Sequence, residues 1–189
     1  MTVPPSNEQD LIERAKHDVE AFRYLYRAYV SRIYAYVAYR VGHAQDAEDI
    51  TSEIFLKVVE SIVRFENRGE GAFAAWLFRI AYNTLAQYYR DNHEPETVLL
   101  EHIHHIASES LTPDEALLLE ERYVQLSHQI RNLSPRRQEI VTLRFFGGLR
   151  NNEIASVLAL DERTVAAHLC RAIEDLQHAY FRELNRSDD

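Results

Sequence analysis

Leu149–Leu176 reads LRNNEIASVLALDERTVAAHLCRAIEDL. Ile154, Ala155, Val157 and Leu158 give a short first helix its apolar side. Ala159–Leu160–Asp161 reads as a tight turn. Asp161 is a good N-cap, because its carboxylate can accept from the free amides of the turn that follows. Val165, Leu169, Ala172, Ile173 and Leu176 then recur at i, i+4, i+7, i+8 and i+11, which is one apolar stripe at helical period. Arg163, Ala166, Ala167, Cys170 and Arg171 face away from it. A helix showing small residues and a few arginines can enter a DNA major groove, the docking geometry of a helix-turn-helix. An ordinary helical hairpin within a bundle is the rival reading of the same spacing.

The totals bound what surrounds this stretch. The chain has 189 residues, enough for one ordinary domain or two small ones. Five glycines and five prolines argue against a turn-rich β fold and suit long helices. The single cysteine, Cys170, excludes an intrachain disulfide framework and fits a reducing compartment. The start, MTVPPSNEQDLIERA, lacks the basic-then-apolar build of a signal peptide, and no apolar run is long enough to span a bilayer. A soluble cytoplasmic protein without membrane insertion is expected.

Net charge is −9, and its placement matters more than its size. Residues 1–91 hold 13 acids and 11 bases, residues 92–133 hold 8 and 2, and residues 134–189 hold 9 and 8. The excess therefore sits in the middle. Phosphate neutralisation supplies most non-specific DNA affinity, so such a chain should bind free DNA poorly unless something else holds it there.

Before the opening stretch, helices are expected at about 7–17, 19–41, 44–65 and 72–91. The second carries Phe22, Leu25, Tyr26, Tyr29, Ile33, Tyr36, Val37 and Arg40 on a broad tyrosine-rich face and ends at Gly42. The third begins acidic (AQDAEDITSE) and turns apolar (IFLKVVESIV). Its acids suit a helix N-terminus, and they equally suit a docking face for a basic partner. In the fourth, Phe73, Trp76, Leu77, Ile80, Ala81, Thr84, Leu85 and Tyr88 can face a core, leaving Arg79, Tyr82, Asn83, Gln87 and Arg90 on the other side. Arginines and aromatics beside an exposed loop are how single-stranded bases are held. Residues 92–111 read as a flexible acidic linker. Thr112–Pro113–Asp114–Glu115 opens a helix to about Asn132. Ser134–Pro135 opens the next, which Gly147–Gly148 ends, and the tail after Leu184 is expected to fray.

The order of these parts resembles the bacterial RNA polymerase sigma factors of the extracytoplasmic-function (ECF) group. DAEDITSEIFLKVVE is similar to the family's core-polymerase-binding segment, and AFAAWLFRIAYNTLAQYYRD to its promoter −10 segment. LSPRRQEIVTLRFFGGLRNNEIASVLALDERTVAAHLCRAI is similar to its −35-reading domain. The resemblance implies an all-α fold of two small helical domains: a region 2-like bundle over 1–91 and a region 4-like helix-turn-helix domain over 112–189, joined by the acidic linker. It implies that Asp49, Ser52, Glu53 and Phe55 bind the β′ clamp helices of core polymerase. Arg64, Asn67, Arg79, Asn83 and Arg90 would contact the −10 element, and Arg163, Thr164, His168 and Arg171 the −35 element. Core polymerase (β′ clamp helices and β flap), promoter DNA and an anti-sigma factor are the implied partners. The linker would thread the polymerase's nucleic-acid channel.

The sequence also departs from the family pattern. Ser52 stands where glutamine is usual, and Ala159 where glycine is common. Tyr82 and Gln87 stand where arginine and aspartate are often found. Ala166, Ala167, Glu174 and Asp175 make the recognition helix less basic. A sigma-like chain that competes for polymerase without initiating, and a stand-alone helix-turn-helix regulator, are therefore the alternative readings. No P-loop, GxGxxG, nucleophile elbow or HExxH occurs, so no catalytic residue and no cofactor are expected. His93, His102, His104 and His105 read as solvated linker residues rather than a metal site. Cys170 reads as a small residue at a packed edge, with redox sensing as the alternative.

Overall fold

A computed structural model describes residues 5–92 and 124–187, and every described element is helical. The expectations for the acidic linker, its four histidines and the Thr112–Pro113 cap lie outside the described residues. Helix α1 spans Pro5–Ala15, α2 Val19–Val41, α3 Ala44–Ser61 and α4 Ala72–Asn92. Residues 124–131 form α5, followed by α6 Pro135–Phe145, α7 Asn151–Leu158 and α8 Glu162–Ser187. Among the described residues no helix is long and apolar enough to cross a membrane.

Local chemistry sets the breaks. Asp18 caps α2 by accepting from the Glu20 amide at 2.9 Å. Gly42 ends that helix at φ 75°, a left-handed conformation that costs glycine nothing. Helix α3 stops at Ser61 and tightens into a 3-10 turn over Ile62–Arg64, short of the expected Phe65. Phe65 is extended and turns inward onto Phe73 and Trp76, with ring centroids 5.6 and 4.9 Å away. Asp161 accepts from the Arg163 amide at 2.8 Å, the cap expected for the second helix of the pair. Ala159 takes the left-handed turn position at φ 52°, at a strain of roughly 1 kcal/mol that a glycine would not incur. Helix α1 starts at Pro5, two residues earlier than expected, and α8 stays helical through Ser187 rather than fraying after Leu184.

Helices α1–α4 pack as one bundle, and α6, α7 and α8 as a second. The two meet where α4 packs on α7 and α2 on α6. A single apolar core runs through that contact. Ile33, Tyr36, Leu77, Phe78 and Ala81 share it with Ile140, Leu143, Leu149, Ile154 and Val165. A smaller cluster of Ile130, Leu133, Val141 and Ala172 lies under α8, flanked by Tyr39, Phe146, Leu169 and Leu176. Of the five stripe residues on α8, Val165 and Ala172 are fully covered, while Ile173 is 36% exposed.

Candidate interaction surfaces

Helix α3 has two faces. Ala47, Ile50, Ile54, Phe55, Val58 and, past its end, Ile62 are buried. Asp49, Ser52, Glu53, Leu56, Val59 and Val63 are exposed along the opposite side. Three of the four expected docking residues thus share one open face. Phe55 does not: it is 7% exposed and packs edge-on against Tyr26 at 4.7 Å. It supports the face from beneath, because its position falls on the same helical side as Ile50, Ile54 and Val58. The sequence reading passed over Leu56, Val59 and Val63, which are 64%, 51% and 56% exposed and extend the acidic end into an apolar strip. Ser52 donates back to the Glu48 carbonyl at 2.8 Å, and Glu53 pairs with Lys57 at 2.6 Å.

A second surface runs from the loop after α3 along α4. Arg64 is exposed at the loop's start. Asn67 accepts from the Gly69 amide at 3.1 Å and so shapes the turn. Asn67, Gly69, Glu70 and Gly71 line a cleft of about 300 Å³ whose other walls are Glu8, Gln9, Ile12 and Phe73. Arg79, Asn83 and Arg90 are exposed at i, i+4 and i+11, one side of α4. The structure puts these three along one open side of α4. It also gives Arg79 a partner, since its guanidinium donates to the Ser156 carbonyl on α7.

The third surface is the open side of α8. Arg163, Thr164 and Arg171 are exposed, and His168 is half-buried with a covered Nδ1 that has no hydrogen-bond partner among the described residues. Cys170 is exposed rather than at a packed edge, and its thiol donates to Glu174 at 3.3 Å. That bond and the Glu174 charge raise its pKa, which holds back the thiolate that redox chemistry requires.

Between the bundles lies a polar cluster that periodicity did not foretell. The Tyr36 hydroxyl donates to Glu139 Oε1 at 2.6 Å, and Arg40 pairs with Glu139 Oε2. Tyr36 is fully buried and Glu139 is 6% exposed. Burial works against the Arg40 charge, yet Glu139 holds the guanidinium firmly protonated. Arg32 donates to the carbonyls of Gly147 and Gly148 at 2.9 and 3.1 Å. Tyr39 stacks on Phe146 at 4.3 Å. Arg150 bridges Glu70 at 2.6 Å and Glu153 at 3.0 Å.

Alkali should weaken this cluster. Burial, reinforced by the Glu139 charge, pushes the Tyr36 hydroxyl well above the ordinary 10. Burial pushes Tyr39 up to about 12, against the pull of Arg131 and Arg40. Unfolded tyrosines ionise near 10, so the unfolded chain gives up its protons first. The stability these groups contribute is complete below pH ~10 and declines as pH rises from ~10 towards ~12. Denaturant midpoints at about pH 9 and pH 11 should show the fall, and Tyr36→Phe should make it shallower. Equal midpoints at the two pH values would contradict the assignment.

Comparison with known proteins identifies the domains that carry these residues. The sequence model of Sigma-70 region 2 matches residues 25–94, and that of Sigma-70 region 4 matches residues 123–176. The first bundle and the helix-turn-helix unit therefore correspond to regions 2 and 4 of a sigma-70-type protein. The chain is 34% identical to the ECF RNA polymerase sigma factor BldN of Streptomyces coelicolor, over 88% of its own length and 63% of BldN's. It is 31% identical to the RNA polymerase sigma-H factor of Pseudomonas aeruginosa, over 91% of its length and 93% of that protein's. The fold matches CnrH, solved in complex with the cytosolic domain of CnrY, at a TM-score of 0.63 and 21% identity over 95% of this chain and 97% of that one. The chain belongs to the ECF group of RNA polymerase sigma factors. It is a promoter-directing initiation factor and not an enzyme.

Proposed function

We propose the following division of labour among its surfaces. Residues 1–91 dock on core polymerase and open the −10 element, and residues 112–189 read the −35 element, with 92–111 as tether. The observation that carries this is the open face of α3, where exposed carboxylates run into exposed Leu56, Val59 and Val63. Exposed apolar side chains in a contiguous strip mark an interaction site, and the acids select a basic partner such as the β′ clamp helices. The cleft beside Asn67 would take a base flipped from the −10 element, with Arg64, Arg79, Asn83 and Arg90 on the backbone. Extruding a base costs a few kcal/mol, which pocket contacts must offset. Arg163, Thr164, His168 and Arg171 would enter the −35 groove while the β flap supports the domain.

Tethering compensates for a DNA face that carries Glu174 and Asp175 among its arginines. Once docked, each reader meets promoter DNA at an effective concentration on the order of mM. Acting on the polymerase would require the protein to be in the cytoplasm. The sigma factor RpoE of Bartonella quintana is solved in complex with the anti-sigma factor NepR; an anti-sigma factor would likewise restrain this chain.

In vitro transcription with core polymerase, on promoters selected from random DNA by the holoenzyme, tests the reading. Specific start sites are expected only when the chain and core are both present. Holoenzyme assembly without initiation at any selected sequence would favour the competitor reading. Tight specific binding to duplex DNA by the chain alone at ordinary salt would favour the stand-alone regulator.

A further inference from the structure

Helix α3 carries five acids and a single base, Lys57. A cation is out of place there. The open face of that helix is to meet a basic partner, and like charges brought together at an interface cost affinity. The Lys57 ammonium donates to Glu53 Oε1 at 2.6 Å along its own helix, and to Thr84 Oγ1 at 3.1 Å across on α4. Thr84 is 3% exposed, so its hydroxyl reaches the ammonium from the covered side. We propose that Thr84 and Lys57 form a positioning pair for polymerase docking: the buried hydroxyl keeps the ammonium turned in towards α4, and the ammonium fixes the Glu53 carboxylate by one oxygen. Both residues act through Glu53 and not by touching the partner. The inference rests on the docking surface proposed above.

The chemistry gives each atom a task. An ammonium has three donors and no acceptor, and an ionised carboxylate accepts on both oxygens. Lys57 takes Oε1 of Glu53, which leaves Oε2 for a basic side chain of the partner. Without the Thr84 hydroxyl, Glu53 is the partner of the ammonium that remains among the described residues. Glu53 lies on the open face. The cation would follow it outward on its flexible four-carbon stem, and there it would confront the incoming base. A second tie joins the same two helices about three turns away, where the Tyr88 hydroxyl donates to Asp46 at 2.9 Å. That tie holds α3 against α4 when the hydroxyl is gone, so its loss shifts a charge and not a helix.

Affinity of the full chain for core polymerase, measured for the wild type, Thr84→Val, Lys57→Met and the double variant, tests the pair. Valine keeps the shape of threonine and drops the hydroxyl. Thr84→Val should bind about three- to tenfold more weakly, and Thr84→Ser should restore the affinity. The deficit should shrink as salt is raised, because exposed charges are screened. In the Lys57→Met background, Thr84→Val should change affinity less than about twofold, since no cation remains to misplace. Wild-type affinity for Thr84→Val overturns the pair. Equal weakening with and without Lys57 does so too, because Thr84 would then act on structure alone.

A measurement on the unmutated chain decides the matter even if Thr84→Val folds badly. The sequence has two lysines, Lys16 and Lys57. Nitrogen-15 lysine labelling therefore gives two side-chain signals, and Lys57→Met assigns them. A Lys57 ammonium protected from exchange with water is expected, and a freely exchanging one overturns the pair. If the variant with both Asp49→Lys and Glu53→Lys binds core polymerase normally, the docking surface falls and this inference with it. If that variant fails to bind while Thr84→Val binds as the wild type does, the pair alone is overturned.

Discussion

Reversing Asp49 and Glu53 to lysine together is expected to abolish binding to core polymerase while leaving helix content unchanged. Both carboxylates are exposed, so little folding energy depends on them. Among the described residues the one ion pair lost, Glu53 with Lys57, is a surface pair worth about 0.3–0.5 kcal/mol. At an interface, however, like charges brought together cost several kcal/mol. At about 1.4 kcal/mol per decade, even 4 kcal/mol is roughly a thousandfold loss of affinity. Pull-down with core polymerase, paired with circular dichroism, reads both halves of the expectation. Normal holoenzyme assembly by the double variant would refute the docking surface.

Phe78→Ala should cause the largest loss of stability, about 3–5 kcal/mol. The ring is fully buried, meets Tyr36 edge-on at 5.7 Å and lies beneath the Arg32 guanidinium at 5.6 Å. Its Cε1 stands 2.7 Å from where a Cβ on Gly147 would fall, so it touches the glycine turn of the other domain as well. Removing it opens a cavity at the junction of both bundles, where collapse of either would disturb the other. Chemical denaturation should show the lowered midpoint. A loss below about 1 kcal/mol would mean that the shared core contributes little to holding the domains together.

Much of the fold was legible because its punctuation is local. The ends of α2 follow from Asp18 and Gly42, and the helix-turn-helix follows from Asp161 and the stripe after it. Phe55 was legible too: its register with Ile50, Ile54 and Val58 places it inside, although family resemblance drew it to the docking face. Helical period likewise carries the strip of Leu56, Val59 and Val63, hidden in a run that is apolar on both sides. Glu139 is a different case. Nothing near it in the sequence says that a carboxylate on α6 belongs beside Tyr36 and Arg40. That pairing exists only once two separate bundles meet, and periodicity says which side is covered but not by what. The same holds for Arg32, whose acceptors are backbone carbonyls and leave no mark in residue type.

Arg40 and the carboxylate that neutralises it are 99 positions apart. A ribosome adding about 5–20 residues each second finishes the first long before the second, with a delay of roughly 5–20 s. Throughout that delay Tyr36 and Arg40 stand without the carboxylate that completes their cluster. The amino-terminal bundle must therefore hold that guanidinium in water until the second bundle is made.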